Sequence, residues 1–265
     1  MHGHLTLTQL KEEEARIFGG VGNKERKSKI ILDVYDRRIR TGNYTPLPHH
    51  TGKSDCEPCN DVGQKICKKA FKLPCFLPGS EFTLKVSVIE DNEVDKQYLE
   101  SLIQLSIFLG GLGKRSRRGF GAINIKLING ETISNDTNLD FILKLLNNVV
   151  PNRFRMEDNA IKLNKLSNHL PNYPFIELIE IGKEFSNWNA LLGSIGLATH
   201  KYNNPAKDCS LGRVRGKKRF ASPIFVSVIT SGAKYYPIIT TLHGAPKDVK
   251  CHISKKKQRD FIANL

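Results

Sequence analysis

A glycine-rich, basic run over residues 108–121 constrains this chain most strongly. It reads FLGGLGKRSRRGFG, holds five glycines and four cations, and contains no acidic residue. Glycine adopts left-handed backbone conformations at little steric cost, so a segment of this composition can turn tightly. Successive backbone N–H groups in such turns form concavities that bind anions, and Lys and Arg add positive charge. The run therefore predicts a loop that binds phosphate.

The charge of the whole chain indicates a polyanionic partner. Its 265 residues carry a formal net charge of +15, and the cations cluster in a few segments. An excess of this size favours nucleic acid or a membrane surface. No apolar run approaches the ~18 residues needed to span a bilayer, and the N-terminus lacks the pattern of a secretory signal. We therefore expect a cytoplasmic, nucleic-acid-binding protein with reduced thiols and no membrane partner.

Hydrophobic periodicity predicts helices and short strands in both halves of the chain. In the first half, apolar residues recur at helical spacing or alternate as in strands. The predicted order is a helix over 6–18, strands near 30–35 and 82–88, a helix over 94–109, and a strand over 123–127 after the glycine run. This order corresponds to a β-α-β-β-α-β ferredoxin-like unit that lacks its first strand.

The second half repeats the arrangement less clearly. The predicted elements are a linking helix over 138–149, a strand over 175–181, a helix over 188–199, a hairpin over 224–242 and a helix over 255–264. We therefore predict an α+β fold of tandem ferredoxin-like (RRM-like) domains with incomplete antiparallel sheets. The first domain covers residues 1–135, with an irregular Cys-rich insertion over 41–78 and the glycine-rich loop over 110–121. The second covers 136–265, with a polar, basic loop over 201–220.

Two basic segments are candidate RNA contacts, because clustered cations without acids are the electrostatic footprint of a nucleic-acid site. The residues predicted to bind RNA are Gly110, Gly111, Gly113, Lys114, Arg115, Arg117, Arg118, Gly119 and Gly121, followed by Arg213, Arg215, Lys217, Lys218 and Arg219. A tight helix-to-strand connection is the alternative for the first segment. A protein contact or a solvated loop is the alternative for the second.

Four cysteines in the insertion suggest a metal site. Thiolates two residues apart can hold one side of a tetrahedral zinc ion. Only one pair has that spacing, so a structural zinc and a loop with free thiols both stay open. The candidate ligands are Cys56, Cys59, Cys67 and Cys75. Cys209 and Cys251 have no evident partner and are expected to be ordinary thiols.

Four segments together resemble a known family. They are EARIFGG at 14–20, LPG at 77–79, GGLGKRSRRGFG at 110–121 and RFASP at 219–223. These segments resemble the RAMP superfamily of CRISPR-associated proteins, and most of all subunit 1 of the type III-B (Cmr) effector complex. That family normally begins with a further strand, which matches the strand missing from the first predicted domain.

The resemblance implies a non-catalytic subunit of a multisubunit, RNA-guided complex that serves antiviral defence. Its partners would be the guide RNA near its 3′ end, the target RNA paired with it, and other subunits of the complex. A metal-independent RAMP endoribonuclease that processes CRISPR RNA is the alternative, although no histidine lies in a recognisable catalytic motif. A protein-interaction subunit, whose cations meet acidic partners, is the third possibility.

Overall fold

The computed structural model describes nine segments of the chain, which are residues 6–20, 27–45, 72–89, 95–133, 138–164, 173–202, 208–215, 218–243 and 252–265. Its helices are α1 Leu7–Phe18, α2 Lys96–Leu109, α3 Leu139–Val149, α4 Trp188–Tyr202 and α5 Lys255–Ala263. Its strands are β1 Ile30–Arg38, β2 Thr41–Tyr44, β3 Leu73–Phe76, β4 Glu81–Val88, β5 Leu127–Ile128, β6 Glu131–Thr132, β7 Phe154–Glu157, β8 Ala160–Leu163, β9 Phe175–Ile181, β10 Arg213–Arg215, β11 Lys218–Phe220, β12 Ile224–Ser231 and β13 Lys234–His243.

The chain divides into two compact units, residues 2–99 and 100–265, and the division falls within helix α2. The sequence pattern instead predicts a boundary after residue 135, at the end of a ferredoxin-like repeat. The glycine-rich loop lies in the second compact unit, because the contacts described below join it to strands of that unit.

The unit over residues 2–99 begins with a helix whose ends follow the sequence signals. The Thr6 hydroxyl accepts a hydrogen bond from the Gln9 backbone, and the Gln9 side chain accepts one from the Thr6 backbone. This capping box satisfies donors that the first helical turn leaves unpaired. The helix ends at Gly19, whose φ of 77° suits glycine.

Strands β1 and β4 pair antiparallel from Ile30 opposite Val88 to Tyr35 opposite Thr83. The register puts apolar side chains such as Leu32 on one face, where 61% of Leu32 is exposed. Strands β2 and β3 form a second antiparallel pair. These two strands lie inside the range predicted to be an irregular insertion, so that prediction is wrong for residues 41–44 and 73–76.

The unit over residues 100–265 is built on a five-stranded antiparallel sheet in the order β12-β13-β9-β8-β7. One face of the sheet carries a core cluster with helix α3 and the end of α2, formed by Leu105, Phe108, Leu109, Ile142, Leu145, Leu146, Ile161, Ile179, Ile229 and Ile238. The neighbouring side chains of Val226 and Ile239 are also fully buried. Because adjacent strand residues face opposite sides, both faces of this sheet are covered.

The hairpin β7–β8 is absent from the sequence predictions. It turns at Asp158 and Asn159, whose φ angles of 54° and 56° are left-handed. Turns with two left-handed residues match the twist of paired strands, and Asp and Asn tolerate that conformation. The hairpin completes the sheet of the second unit, which therefore has more strands than the sequence pattern indicates.

The strand predicted over 123–127 after the glycine run is also wrong. Residues 122–126 have no regular structure, and only Leu127–Ile128 pairs, with Glu131–Thr132. The intervening Asn129 and Gly130 have φ angles of 53° and 86°, and Asn-Gly is a strong hairpin signal. This turn sets the position of the short hairpin. The alternation of apolar and polar residues, taken alone, placed the strand too early in the sequence.

The other predicted elements are confirmed with small shifts of their ends. The strand over 175–181 is found as predicted, and the helices predicted from 138, 188 and 255 differ by a few residues. The structure therefore has the predicted α+β class with small antiparallel sheets. No helix in the described segments is long and apolar enough to cross a membrane.

Replacing Ile161 by Ala tests whether hairpin β7–β8 belongs to the core. Ile161 is 0% exposed within the main cluster, so the substitution should lower the free energy of unfolding by about 3 kcal/mol. The matched change Leu197→Ala, on a side chain that is 47% exposed, should cost below about 0.5 kcal/mol. Urea unfolding measures both, and equal effects would contradict the placement of the hairpin.

Candidate nucleic-acid interface

The glycine-rich loop leaves helix α2 at Leu109 and closes on itself. The backbone N–H of Leu112 donates to the carbonyl of Gly121 at 2.9 Å, which joins the two ends of the loop. Between them, a single turn of 3₁₀ helix covers Ser116–Arg118 and is flanked by left-handed residues Arg115 and Gly119. The loop is thus an ordered structure, set by turns that its composition permits.

Two glycines of this loop are required by close packing. A Cβ atom on Gly121 would lie 1.8 Å from the carbonyl oxygen of Leu112, and its φ is +68°. A Cβ atom on Gly119 would lie 2.9 Å from Ile195 of helix α4 and 3.5 Å from Val228 of β12. The Gly119 N–H donates to the Val226 carbonyl at 2.7 Å. Both glycines therefore fix the path of the backbone, and Gly119 lies in the interior.

Arg118 is the buried cation of the loop, with 8% of its surface exposed. One terminal nitrogen, Nη1, donates to the carbonyls of Arg117 at 2.7 Å and Ile224 at 2.9 Å. The other, Nη2, donates to the Leu211 carbonyl at 3.0 Å and the Ser222 hydroxyl at 3.1 Å. Its guanidinium also lies 5.5 Å from the centre of the Phe261 ring. These contacts occupy the guanidinium, so we assign Arg118 to the packing of the loop and remove it from the proposed RNA surface.

Arg117 lies beside it and is only partly buried. Its Nη1 donates to the Ser222 carbonyl at 2.9 Å, and its guanidinium lies 4.3 Å from the centre of the Phe225 ring. A cation over an aromatic face is attracted by the electron density of the ring. One edge of the Arg117 guanidinium is thus held against β12. Because the guanidinium is planar and carries several N–H donors, its other edge can donate to a second acceptor.

Lys114 and Arg115 occupy the outer part of the loop. Lys114 is exposed, and Arg115 is half-buried with a left-handed φ of 65°. The Nε of Arg115 is buried without a hydrogen-bond partner, and burial lowers the pKa of this residue. Leu112, also on the outer part, is 67% exposed. The outer loop therefore presents two cations and one apolar side chain.

Positive charge is concentrated in this loop without a compensating carboxylate from the described residues. Burial, followed by the charges of Arg115 and Arg117, lowers the pKa of Arg118 to about 10. At neutral pH all three guanidiniums remain protonated, and they repel one another. An anion placed against the outer cations would relieve this repulsion, which is the electrostatic condition for a phosphate site.

The second basic segment contains a hairpin, so the polar, basic segment predicted as a loop over 201–220 is paired at its end. Strands β10 and β11 pair from Arg213 opposite Phe220 to Arg215 opposite Lys218. Gly212 precedes them with a φ of +90°. Arg213 is buried, whereas Lys217 lies outside the described residues.

The two predicted RNA segments meet through contacts that the sequence predictions did not include. Arg118 reaches Leu211, immediately before the β10–β11 hairpin, and Ser222, immediately after it. Ser222 belongs to the RFASP segment, so two motifs far apart in sequence contact each other directly. The motifs were visible in the sequence, but nothing in it indicated that Arg117 and Arg118 bind Ser222.

Of the four cysteines predicted to bind zinc, only Cys75 lies in the part of the chain that the structure describes. Cys75 is a half-buried free thiol in β3, whereas Cys56, Cys59 and Cys67 lie outside the described residues. No three metal-ligating side chains cluster within the described segments. Cys209 is fully buried and disulfide-bonded, so the expectation of an ordinary thiol there is wrong.

Residues 3–124 match the family model of the RAMP superfamily, a range that includes the glycine-rich loop. The matched part, 122 of the 265 residues, carries the similarity of this chain to that superfamily. The structure of the chain is similar to the crystal structure of Cmr1 from Pyrococcus furiosus in its apo form, with a TM-score of 0.56 and 19% sequence identity. That match covers 97% of this chain and 81% of Cmr1, and it shows a shared fold. No curated protein sequence matches this chain.

Substitution of Gly121 by Ala should destabilise the glycine-rich loop more than the same change at Gly113. Both glycines have positive φ, so each substitution carries backbone strain of about 1 kcal/mol. Only the Gly121 Cβ meets the Leu112 carbonyl, because the space around a Gly113 Cβ is open within 4 Å. We expect a clearly lower melting temperature for Gly121→Ala than for Gly113→Ala, and equal melting temperatures would contradict the observed closure of the loop.

Proposed function

We propose that this chain is a non-catalytic, RNA-binding subunit of a cytoplasmic type III-B CRISPR effector complex. It would bind near the 3′ end of the guide RNA and its duplex with target RNA, alongside other subunits, in antiviral defence. The match of residues 3–124 to the RAMP superfamily model and the fold shared with Cmr1 support this assignment.

The observation that carries the proposal is the uncompensated charge of the glycine-rich loop. Lys114 is exposed, Arg115 is half-buried, Arg117 is held at one edge, and no carboxylate in the described segments pairs with them. Phosphate contacts from such residues dominate nucleic-acid affinity and do not depend on base sequence. We therefore expect binding through the RNA backbone, with sequence supplied by the guide.

An endoribonuclease is a second candidate because of one contact. His243 Nδ1 lies 2.8 Å from Glu177 Oε1, an arrangement that can orient an imidazole as a general base. Lys255 also donates to Glu177 at 2.7 Å, and the Phe175 ring stacks on His243 at 4.7 Å. These additional contacts favour a structural link between β9, β13 and α5.

Incubation of the purified protein with CRISPR repeat RNA in a chelator separates the two functions. The binding proposal predicts intact RNA for the wild type. Metal-independent cleavage that His243→Ala abolishes, while the melting temperature stays unchanged, would instead assign an endoribonuclease.

Charge removal on the outer loop should flatten the salt dependence of RNA binding. For each phosphate of single-stranded RNA that the protein no longer neutralises, the slope of log K against log salt should become shallower by about 0.7. We expect this for Lys114→Gln, and about twice the effect for Lys114→Gln combined with Arg115→Gln. Fluorescence anisotropy with a labelled single-stranded RNA of mixed sequence provides the measurement.

The control for that series is Lys144→Gln, which removes one charge from an exposed position of helix α3. It changes the net charge of the chain by the same amount as Lys114→Gln. An equal change of slope in both variants would mean that net charge, and no local phosphate contact, governs binding.

The Cys-rich segment is proposed to hold a structural zinc ion through Cys56, Cys59, Cys67 and Cys75. Elemental analysis of protein purified without added metal should then find about one zinc per chain, and none in Cys59→Ser. The control variant Ser54→Ala changes a residue of the same segment outside the proposed ligand set and should retain the metal. Metal-free wild type would remove the proposal.

A further inference from the structure

We propose that Phe225 of strand β12 is a positioning residue for RNA binding, whose ring holds the Arg117 guanidinium in the orientation in which it binds a phosphate of the RNA backbone. The proposal rests on the function proposed above and deepens it, because it explains how one cation of the glycine-rich loop is prepared for its ligand. Phe225 lies outside every segment that the sequence analysis predicts to bind RNA.

The Arg117 guanidinium is held by two uncharged neighbours. Its central carbon lies 4.3 Å from the centre of the Phe225 ring, and its Nη1 donates to the Ser222 carbonyl at 2.9 Å. Neither neighbour is an acid, so the positive charge is not neutralised. A guanidinium carries five N–H donors, and no second hydrogen bond joins this one to a residue in the described segments. The donors on Nε and Nη2 can therefore bind a phosphate, whose oxygens match a planar fork.

Strand β12 anchors the backbone that carries the ring. Phe225 is half-buried and lies opposite Thr240 in the β12–β13 pair. Because β12 is an edge strand of the five-stranded sheet, its other side is open to the glycine-rich loop. There the Gly119 N–H donates to the Val226 carbonyl at 2.7 Å. The backbone on which Phe225 stands is thus bound from both sides.

The same strand also holds the start of the loop. Ser227 follows Phe225 by two residues, so both side chains lie on one face of β12. The Ser227 hydroxyl donates to the Gly110 carbonyl at 2.6 Å, directly after the end of helix α2. Ser227 is 1% exposed, which shields this hydrogen bond from water. Neighbouring positions of one strand therefore fix both the entry of the loop and the direction of Arg117.

Arg117 differs in this respect from the cations on either side of it. Lys114 is exposed, and no printed contact with a described residue restrains its ammonium. Arg118 is buried, and its two terminal nitrogens donate to four protein acceptors. Of these three side chains, Arg117 combines an ordered guanidinium with donors that the described residues leave unused.

Ordering the guanidinium before RNA arrives has a direct consequence for affinity. A long side chain that becomes immobile only on binding loses conformational entropy at that moment, and this loss opposes binding. Attraction between the cation and the ring restricts the side chain in the free protein, so less freedom is left to lose. From the ordering cost of one such side chain, we expect the ring to strengthen RNA binding by about fivefold.

Phe225→Leu tests the ring directly, because it keeps an apolar side chain and removes the aromatic face. We expect RNA binding about fivefold weaker, measured by fluorescence anisotropy with the labelled single-stranded RNA of mixed sequence. Phe225→Tyr keeps the aromatic face and should bind within about twofold of the wild type. Wild-type affinity for Phe225→Leu would overturn the proposal.

The matched control is Phe154→Leu, which makes the same change at a half-buried residue of β7, at the opposite edge of the sheet. It should leave RNA affinity unchanged. Equal weakening in Phe154→Leu and Phe225→Leu would contradict positioning, because a general loss of packing would then explain both.

A double-mutant cycle supplies a readout that a purely structural role would not move. In the Arg117→Gln background, Phe225→Leu should cause no further loss of RNA affinity, because the ring acts through the guanidinium. A ring that contacts a base itself would weaken binding equally in both backgrounds, and such additivity would refute positioning.

The salt dependence tests whether Arg117 contacts a phosphate. Arg117→Gln should make the slope of log K against log salt shallower by about 0.7, whereas Phe225→Leu removes no charge and should keep the wild-type slope. Lys144→Gln is again the control for net charge. An unchanged slope in Arg117→Gln would overturn the proposal, since the oriented cation would then have no phosphate partner.

Nuclear magnetic resonance on the RNA-free, ¹⁵N-labelled protein separates this proposal from the proposed function. The Nε–H signal of Arg117, identified by its loss in Arg117→Gln, should be shifted upfield by the Phe225 ring current and should move downfield in Phe225→Leu. A wild type that shows this shift but binds no RNA would refute the proposed function. In a protein that binds RNA, a signal that Phe225→Leu does not move would refute positioning alone.

If Phe225→Leu does not fold, Phe225→Met takes its place, because methionine adapts to irregular space and lacks the ring. Weaker RNA binding together with loss of the upfield shift supports positioning. Wild-type affinity in a folded Phe225→Met would contradict it.

Discussion

The buried guanidinium of Arg118 is the contact on which the arrangement of the second unit depends. It lies where the glycine-rich loop, the turn before β10 and the start of β12 converge, and it supplies a donor to each. A charged group in the interior has to keep its hydrogen bonds, since leaving buried polar groups unpaired is costly. The backbone around Arg118 is therefore constrained by its carbonyls, and Gly119 must follow because a side chain there would meet Ile195.

The same burial determines what the loop presents outside. With Arg118 and one edge of Arg117 directed inward, Lys114 is left exposed and Arg115 half-buried in a closed loop. The charges of Arg115 and Arg117 act on the buried Arg118, and the described residues supply no carboxylate to offset them. Such an arrangement has electrostatic repulsion in the free protein that a bound phosphate would reduce. The structural role of Arg118 and the binding roles proposed for the other cations thus fall to neighbouring residues of one motif.

Local signals predicted much of this fold, and long-range contacts explain what they missed. The capping box at Thr6 and the alternation over 175–181 depend on nearby residues, and both are found in the structure. The β7–β8 hairpin was missed because its Asp158-Asn159 turn is a weaker signal than Asn-Gly. The strand expected over 123–127 is replaced by irregular backbone, which is followed by a short hairpin at the Asn129-Gly130 turn. Both of these errors concern a short segment in which turn chemistry outweighs hydrophobic pattern.

At the candidate site, too, the sequence predicted the motifs but not their long-range contacts. The sequence identified the glycine-rich run and the RFASP segment as motifs, but it could not tell Arg118 from Arg115. Which arginine is buried depends on the carbonyls of Leu211 and Ile224, and these are brought together only by the fold. The clustering of cations indicated a polyanion, whereas the assignment of structural and outward-facing cations required the three-dimensional contacts.

Ultraviolet crosslinking of the purified chain to single-stranded RNA, followed by mass spectrometry of the crosslinked peptides, tests the central claim most directly. The account predicts crosslinks in the peptides that contain residues 110–121 and 212–220, with both absent in high salt. Crosslinks confined to peptides from α3 and the β7–β8 hairpin would contradict it, because they would place the RNA on a surface that neither basic segment forms.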